Sequence, residues 1–369
     1  MKLLKEEIQI MAKLNLSTYT YFPALRTRLA ELRGLKELDG ARKARIVPML
    51  TLGQWRGSSE LNKAAEKAAE AAGDRPFFMD LSSDNRKVEV HWDQLRNSTD
   101  AFRAWRQFAA EYKNAIPVVQ IPVGGRTRDI VQQAQEIESA FGTVAFRIQD
   151  FAAQTPFVIS AISALDDPRN AIVFIDCQYI REAMAAFVTA TISTVNALRS
   201  EFPALLIVVL STSFPSSTLP FADSTKRRGV IPILERELHA RVGGNPVAIY
   251  GDHGSVHAVV YDDVPMMRWS PRIDYPTYTD WHFERRPGPI EPGYIESARA
   301  IQEEFDCSTT STIWGERMIA EAAAGSPYGK APASWIAVRV NIHLSRQIDY
   351  EEASRQDNDN ENGFDDDSL

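Results

Sequence analysis

Eight apolar, β-branched segments divide this chain. They begin at Ile46 (IVPMLTL), Pro76 (PFFMDLSS), Ile116 (IPVVQIPV), Thr143 (TVAFRIQD), Ala171 (AIVFIDCQ), Ala204 (ALLIVVLSTS), Pro246 (PVAIYGD) and Ser334 (SWIAVRVNIHL). Most are apolar almost throughout, the pattern of parallel strands covered on both faces. Helical stretches lie between them: SSELNKAAEKAAEAAG, STDAFRAWRQFAAEYK, TRDIVQQAQEIESAFG and REAMAAFVTATISTVNALRSEF. Six successive strand–helix units of about 30 residues predict a parallel α/β fold. Eight strands favour a closed TIM-like (β/α)8 barrel over an open doubly wound sheet. Pro48 and Pro117 suit the starts of strands better than their centres.

The expected barrel occupies 46–348, after an N-terminal segment and leading helix at 1–45. The regular spacing breaks after the seventh strand, where 257–333 form a long insertion. In it, RWSPRIDYPTYTDWHFERR reads as an aromatic hairpin, and PGYIESARAIQEEF and STIWGERMIAEAAAG read as two helices. An insertion in a strand-to-helix connection leaves from the carboxyl ends of the strands, so this one is expected to cap that mouth. Residues 349–369 hold nine acids against the single base Arg355 and carry the whole net charge of −8. With few apolar residues to bury, they are expected to form a disordered acidic tail.

Composition narrows the classes further. Once the tail is set aside, the body is neutral, which does not support nucleic-acid binding by overall charge. Cys177 and Cys307 are the only cysteines, which argues against a disulfide framework or a cysteine-based zinc site. MKLLKEEIQIMAKLNL interrupts its apolar residues with charges, unlike a signal peptide. No apolar run approaches the roughly 20 residues of a membrane-spanning helix. The expectation is a cytoplasmic protein.

Alternate residues of a barrel strand point inward. In the Ser334 segment Ile336, Val338, Val340, Ile342 and Leu344 share one parity, which predicts Arg339, Asn341 and His343 inside. Val144, Phe146 and Ile148 likewise leave Arg147 and Gln149 inside, and Gln120 sits between Val119 and Ile121. Asp80, Asp176 and Asp252 fall at strand ends, with Asp150 just beyond. A structural core would hold branched apolar side chains instead. Buried charge needs partners, so the interior is either a self-satisfied ion-pair network or a polar pocket at the carboxyl mouth. In YGDHGSVHA, from Tyr250, Asp252 would sit at a catalytic position. His253 and His257 straddle Gly254 in a loop, which argues against the zinc geometry of a helical His-x-x-x-His pair, and His253 is read as bonding loop carbonyls. PVGGRTRD, from Pro122, suits a plain turn more than an anion loop. TKRRG, from Thr225, reads as a solvated surface run.

YFPALRTRLAELRGLKEL followed by RIVPMLTL has an aromatic-Pro-x-Leu segment, a basic residue, a helix with a glutamate and an Ile-x-Pro strand, at Tyr21, Phe22, Pro23, Leu25, Arg28, Glu31 and Pro48. These positions resemble the phage and bacterial "beta protein" family. YGDHG is similar to that family's aromatic-Gly-Asp-Tyr-Gly segment, with His253 in place of the tyrosine. PRIDY, WGERMI and SWIAVRVNIHLS are similar to its later segments. The resemblance implies a single architecture over roughly residues 20 to 348 and a setting in phages or antiviral defence. It carries no reaction and no catalytic residues.

Two functions are therefore expected. In the first, a phosphoester hydrolase, Asp80, Asp176, Asp252 and His343 are catalytic: the aspartates either hold a divalent metal as cofactor or serve as acid and base, and His343 shuttles a proton. Gln120, Arg147, Gln149, Tyr250, Arg339 and Asn341 would bind an anionic ligand, a phosphate or nucleotide. In the second, the chain is a non-catalytic recognition or assembly subunit. It would dock a protein partner in a phage or defence complex through Trp269, Tyr275, Tyr278 and Trp281.

Overall fold

Seven of the eight expected segments form strands in the computed structural model, which describes residues 15–258 and 269–361, with side chains to residue 350. The strands β1 (Ala24–Arg26), β2 (Met49–Leu52), β3 (Phe77–Leu81) and β4 (Ala115–Pro117) pair in that order in one parallel sheet. A second parallel sheet orders β5 (Val144–Ile148), β6 (Ala171–Tyr179), β7 (Leu206–Thr212) and, past an intervening strand β8 (Arg228–Pro232), β9 (Ile249–Tyr250). Further pairings join the sheets at both edges. Val118 pairs in parallel with Ala145, and Tyr21 with Tyr250. Beside the second junction, Phe22 N donates to Tyr250 O and Ala24 N to Asp252 O, at 3.2 and 2.8 Å.

The eighth expected strand is corrected. SWIAVRVNIHL lies in a helix, Pro332–Glu361, and the remaining parallel strand is β1, from the segment expected to lie ahead of the barrel. The insertion thus follows the eighth parallel strand in chain order. Its hairpin and both helices form as expected: β10 (Arg272–Pro276) and β11 (Asp280–Arg285) pair antiparallel, followed by helices Ile290–Glu304 and Trp314–Ala323. β8 adds to the hairpin as a third antiparallel strand, so the TKRRG run leads into a sheet. Residues 259–268 of the insertion lie outside the described residues.

Strand parity sorts the apolar side chains into layers. Phe22, Met49, Phe78, Ile116, Ala145, Phe174, Val208 and Leu210 come from both parallel sheets and form one buried cluster. The opposite parity, including Leu50, Met79, Phe146, Val173 and Val209, packs with helical residues. Two-sided burial explains why these strands read as continuous apolar runs.

The C-terminal helix is held from several directions. Asn341, fully buried, donates from Nδ2 to Gly34 O at 3.0 Å and accepts at Oδ1 from Gly315 N at 2.9 Å. Both partners are glycines because the helices approach closely. A Cβ on Gly34 would lie 2.7 Å from Val340 Cγ1, and one on Gly315 would lie 2.5 Å from Ile342 Cγ1 and 2.7 Å from Val338 O. Adding a methyl group against backbone forces the helices apart. Gly315→Ala is therefore expected to cost about 1–3 kcal/mol, read as a lower urea midpoint at unchanged m-value.

The expected disordered tail, 349–369, begins inside this helix. Asp349 accepts two bonds from Arg42, at 3.2 and 2.7 Å, and the Arg236 guanidinium lies 4.2 Å from the Tyr350 ring centroid. Residues 362–369 lie outside the described residues. Because Ile348 is also buried, truncation after Arg346 should lower the melting temperature by several degrees. Truncation after residue 361 should leave these contacts and the melting temperature unchanged.

Candidate functional site

Toward the carboxyl ends of the parallel strands the interior changes from apolar to charged. β6 shows the transition within one parity: Ile172 and Phe174 join the apolar cluster, and Asp176 follows them. Arg147, two residues past Ala145 on β5, reaches across this layer. It donates to Asp80 Oδ2 at 2.7 Å from Nη1, and to Asp176 Oδ2 at 3.0 Å from Nε and 2.7 Å from Nη2. Its Nη1 also meets Thr51 Oγ1 at 3.2 Å. Asp176 takes further bonds from Gln149 Nε2 at 3.0 Å, Gln178 N at 2.9 Å and His253 Nε2 at 2.9 Å. Burial acts to raise the Asp176 carboxyl, but His253 and Arg147 outweigh it and hold the group below the usual carboxylate range.

This network forms the wall of a cavity of about 440 Å³. Arg26, Thr51, Arg86, Arg147, Asp176 and His253 are among its lining residues. Arg26 spends its backbone N–H and Nε on Glu31, at 2.7 and 3.2 Å, while its Nη atoms make no hydrogen bond to any described residue. Arg86 is bidentate with Asp84, both contacts at 2.7 Å. Gln178 also lines the cavity and holds φ at 53°, at the register shift between Asp176 and Tyr179. A non-glycine residue in that region stores local strain.

A second polar cluster lies on the other side of the strand wall. Tyr250 and Asp252 share one parity, Gly251 and His253 the other. A Cβ on Gly251 would meet Leu210 and Val208 of the interior. Asp252 instead accepts from Tyr21 Oη at 2.7 Å, Tyr250 Oη at 2.9 Å, Gly254 N at 2.8 Å and His343 Nε2 at 2.9 Å. His343 projects from the C-terminal helix and stacks on Trp281 of β11, with centroids 5.8 Å apart. Burial acts to raise the Asp252 carboxyl, and it pushes the Tyr21 and Tyr250 hydroxyls up. The His343 ring, the Tyr21 hydroxyl and the Gly254 amide together bring Asp252 down to about 2.

The structure therefore divides the expected site. Asp80, Asp176, Arg147 and Gln149 meet in the interior network. Asp252, Tyr250 and His343 form the outer cluster, and Asp252 is buried rather than near solvent. Gln120 is buried just past β4, where its backbone N–H and carbonyl pair with Gln133 and its side chain with Val118 O. Arg339 and Asn341 lie on the C-terminal helix, not on a strand. Arg339 pairs with Asp274 of β10 and lies over the Phe214 ring at 3.9 Å. The three aspartates expected to share a metal do not converge, and among the described residues no group of three or more His, Cys, Asp or Glu side chains is disposed to hold a metal ion. Of the hairpin aromatics, Tyr275 and Trp281 are buried. Trp281 places the hairpin over His343, beside Asp252, but no described hairpin residue lines the cavity. Residues not expected at the site are Arg26, Thr51 and His253. The usable signal for His253 was parity: it follows Asp252, so the two must face opposite ways.

Fold and site together define an α/β protein of parallel strands whose charged interior opens into a cavity at the strands' carboxyl ends. Within that class the chain belongs to the Beta protein family, whose model matches residues 21–349. It is 42% identical to Protein beta of Enterobacteria phage P4 over 342 residues, 92% of this chain and 96% of that protein. Among solved structures, a biosynthetic arginine decarboxylase from Campylobacter jejuni overlaps at a TM-score of 0.35 and 11% identity, over 89% of this chain and 55% of that one. That overlap is too low to bear on fold or chemistry. Among the described residues no helix is long and apolar enough to cross a membrane.

The outer cluster gives a pH dependence. A carboxyl lowered on folding adds stability that is complete above its unfolded pKa and is lost as pH falls through its folded one. For Asp252 that window runs from the ordinary aspartate value of 3.8 down to about 2 and is worth roughly 2 kcal/mol. Asp252→Asn should lower stability at neutral pH and flatten the acid limb of a denaturation series across this window.

Proposed function

We propose that the eight parallel strands form a closed TIM-like barrel and that the cavity at their carboxyl ends receives a small anionic ligand, a phosphate or nucleotide. The edge pairings of Val118 with Ala145 and Tyr21 with Tyr250 support closure. The cavity lies where barrel enzymes place their sites. The observation that carries the ligand class is Arg26. Arg26 lines the cavity and its Nη atoms make no hydrogen bond to any described residue, while three arginines, Arg26, Arg86 and Arg147, stand with two aspartates, Asp84 and Asp176, around the lining. A planar guanidinium fork matches a phosphate or carboxylate edge. Arg147 is instead the fixed support beneath it, since Asp80 and Asp176 already occupy it. The phage P4 relative supports a role within a phage or antiviral-defence system.

A second reading, recognition of a protein partner, rests on Trp269 and Tyr278, which keep 36% and 39% of their surface exposed. Calorimetric titration separates the two. Inorganic phosphate should bind the full chain with a salt-sensitive affinity, and Arg26→Ala should weaken it roughly 10- to 100-fold, as expected for a charge-assisted bond worth about 1.5–3 kcal/mol. Equal phosphate affinity in wild type and Arg26→Ala, or no binding in either, would leave only the partner reading.

A further inference from the structure

We infer that His253 is the proton acceptor of this cavity and that it activates water for hydrolysis of a phosphate ester, a proposal that rests on the anionic-ligand reading above. His253 lines the cavity. Its Nε2 donates to Asp176 Oδ1 at 2.9 Å, while Nδ1 makes no hydrogen bond to any described residue. An ionised carboxylate at Nε2 fixes the tautomer that leaves the lone pair on Nδ1. Asp176 cannot rotate away, because Arg147, Gln149 and the Gln178 amide hold both its oxygens. The backbone holds the ring as well. His253 N donates to Ser211 O at 3.2 Å, and its chain neighbours Asp252 and Gly254 are bonded to each other. A carboxylate that orients a histidine and stabilises the imidazolium formed on proton transfer is the arrangement general-base catalysis requires. Asp176 is thus a positioning residue, and Arg147 positions Asp176.

The step balances with water alone. Nδ1 takes one water proton, and the water oxygen forms a bond to phosphorus. The bond from phosphorus to the leaving oxygen breaks with its electron pair, and the imidazolium proton returns to solvent or to that oxygen. The Nη atoms of Arg26 are available for the charge on the non-bridging oxygens.

The test uses the full chain with two probes, inorganic phosphate for binding and p-nitrophenyl phosphate for turnover. Wild type should bind phosphate and release p-nitrophenolate. His253→Ala should bind phosphate within about threefold of wild type yet lose about 100-fold or more in kcat, and added imidazole should restore part of the loss. Asp176→Asn, if folded by circular dichroism, should lower kcat more than it raises KM. Phosphate binding without hydrolysis by wild type would overturn this inference alone, as would undiminished kcat in His253→Ala. Absence of phosphate binding would overturn the anionic-ligand reading and this inference with it.

Discussion

A guanidinium shared between two buried carboxylates organises the interior of this protein. Arg147 comes from β5, Asp80 from β3 and Asp176 from β6, so one side chain ties together strands of both parallel sheets. Any one of these charges alone would be costly in such a place. Removing one partner from a buried pair typically costs about 3–5 kcal/mol, because the other is left uncompensated. Each group therefore depends on the others, and the register of the strands depends on all three. The same network fixes the cavity, since Asp176 reaches it only as a carboxylate already committed to Arg147 and His253. Rigidity here follows from electrostatics as much as from packing.

The outer cluster repeats this logic on the far side of the wall. Asp252 is satisfied by two tyrosines, a backbone amide and His343. His343 belongs to the C-terminal helix, so its hydrogen bond to Asp252 and the Asn341 bridge to Gly34 and Gly315 fix that helix by separate means. The Arg339–Asp274 pair then ties the insertion's hairpin to the same helix. A helix with polar partners in four different segments of the chain cannot slide without breaking several buried bonds at once.

That helix also shows where the sequence stops being legible. A surface helix displays its 3.6-residue period because one face meets water. From Ala337 to Ser345 this one is buried throughout, so the period disappears. Its polar residues happen to alternate, because Arg339, Asn341 and His343 each answer a different neighbour, and the result imitates a strand. Only the length of the run, long for a strand, spoke against that reading. β1 was missed for the opposite reason. Its three residues are too few to show any period, and Pro23 precedes them. The inner strands were legible because burial on both faces leaves a strong apolar signature, and parity then placed Arg147 and Gln149 correctly. Pairing partners were not legible. Nothing local distinguishes an aspartate that faces the cavity from one that faces a helix, and Asp176 and Asp252 both follow an apolar run.

The adjacent residues Asp252 and His253 join the two clusters. Strand alternation sends Asp252 outward to the C-terminal helix and His253 inward to Asp176. The Asp252 carbonyl also accepts from Ala24 N, and its carboxylate from Gly254 N, so the backbone on both sides of His253 is pinned by the outer cluster. The imidazole is consequently positioned from two directions, by Asp176 through its ring and by Asp252 through its main chain. Two charges on opposite faces of one wall thus converge on a single residue, and the C-terminal helix, which supplies none of the described lining residues, becomes part of what holds its histidine in place.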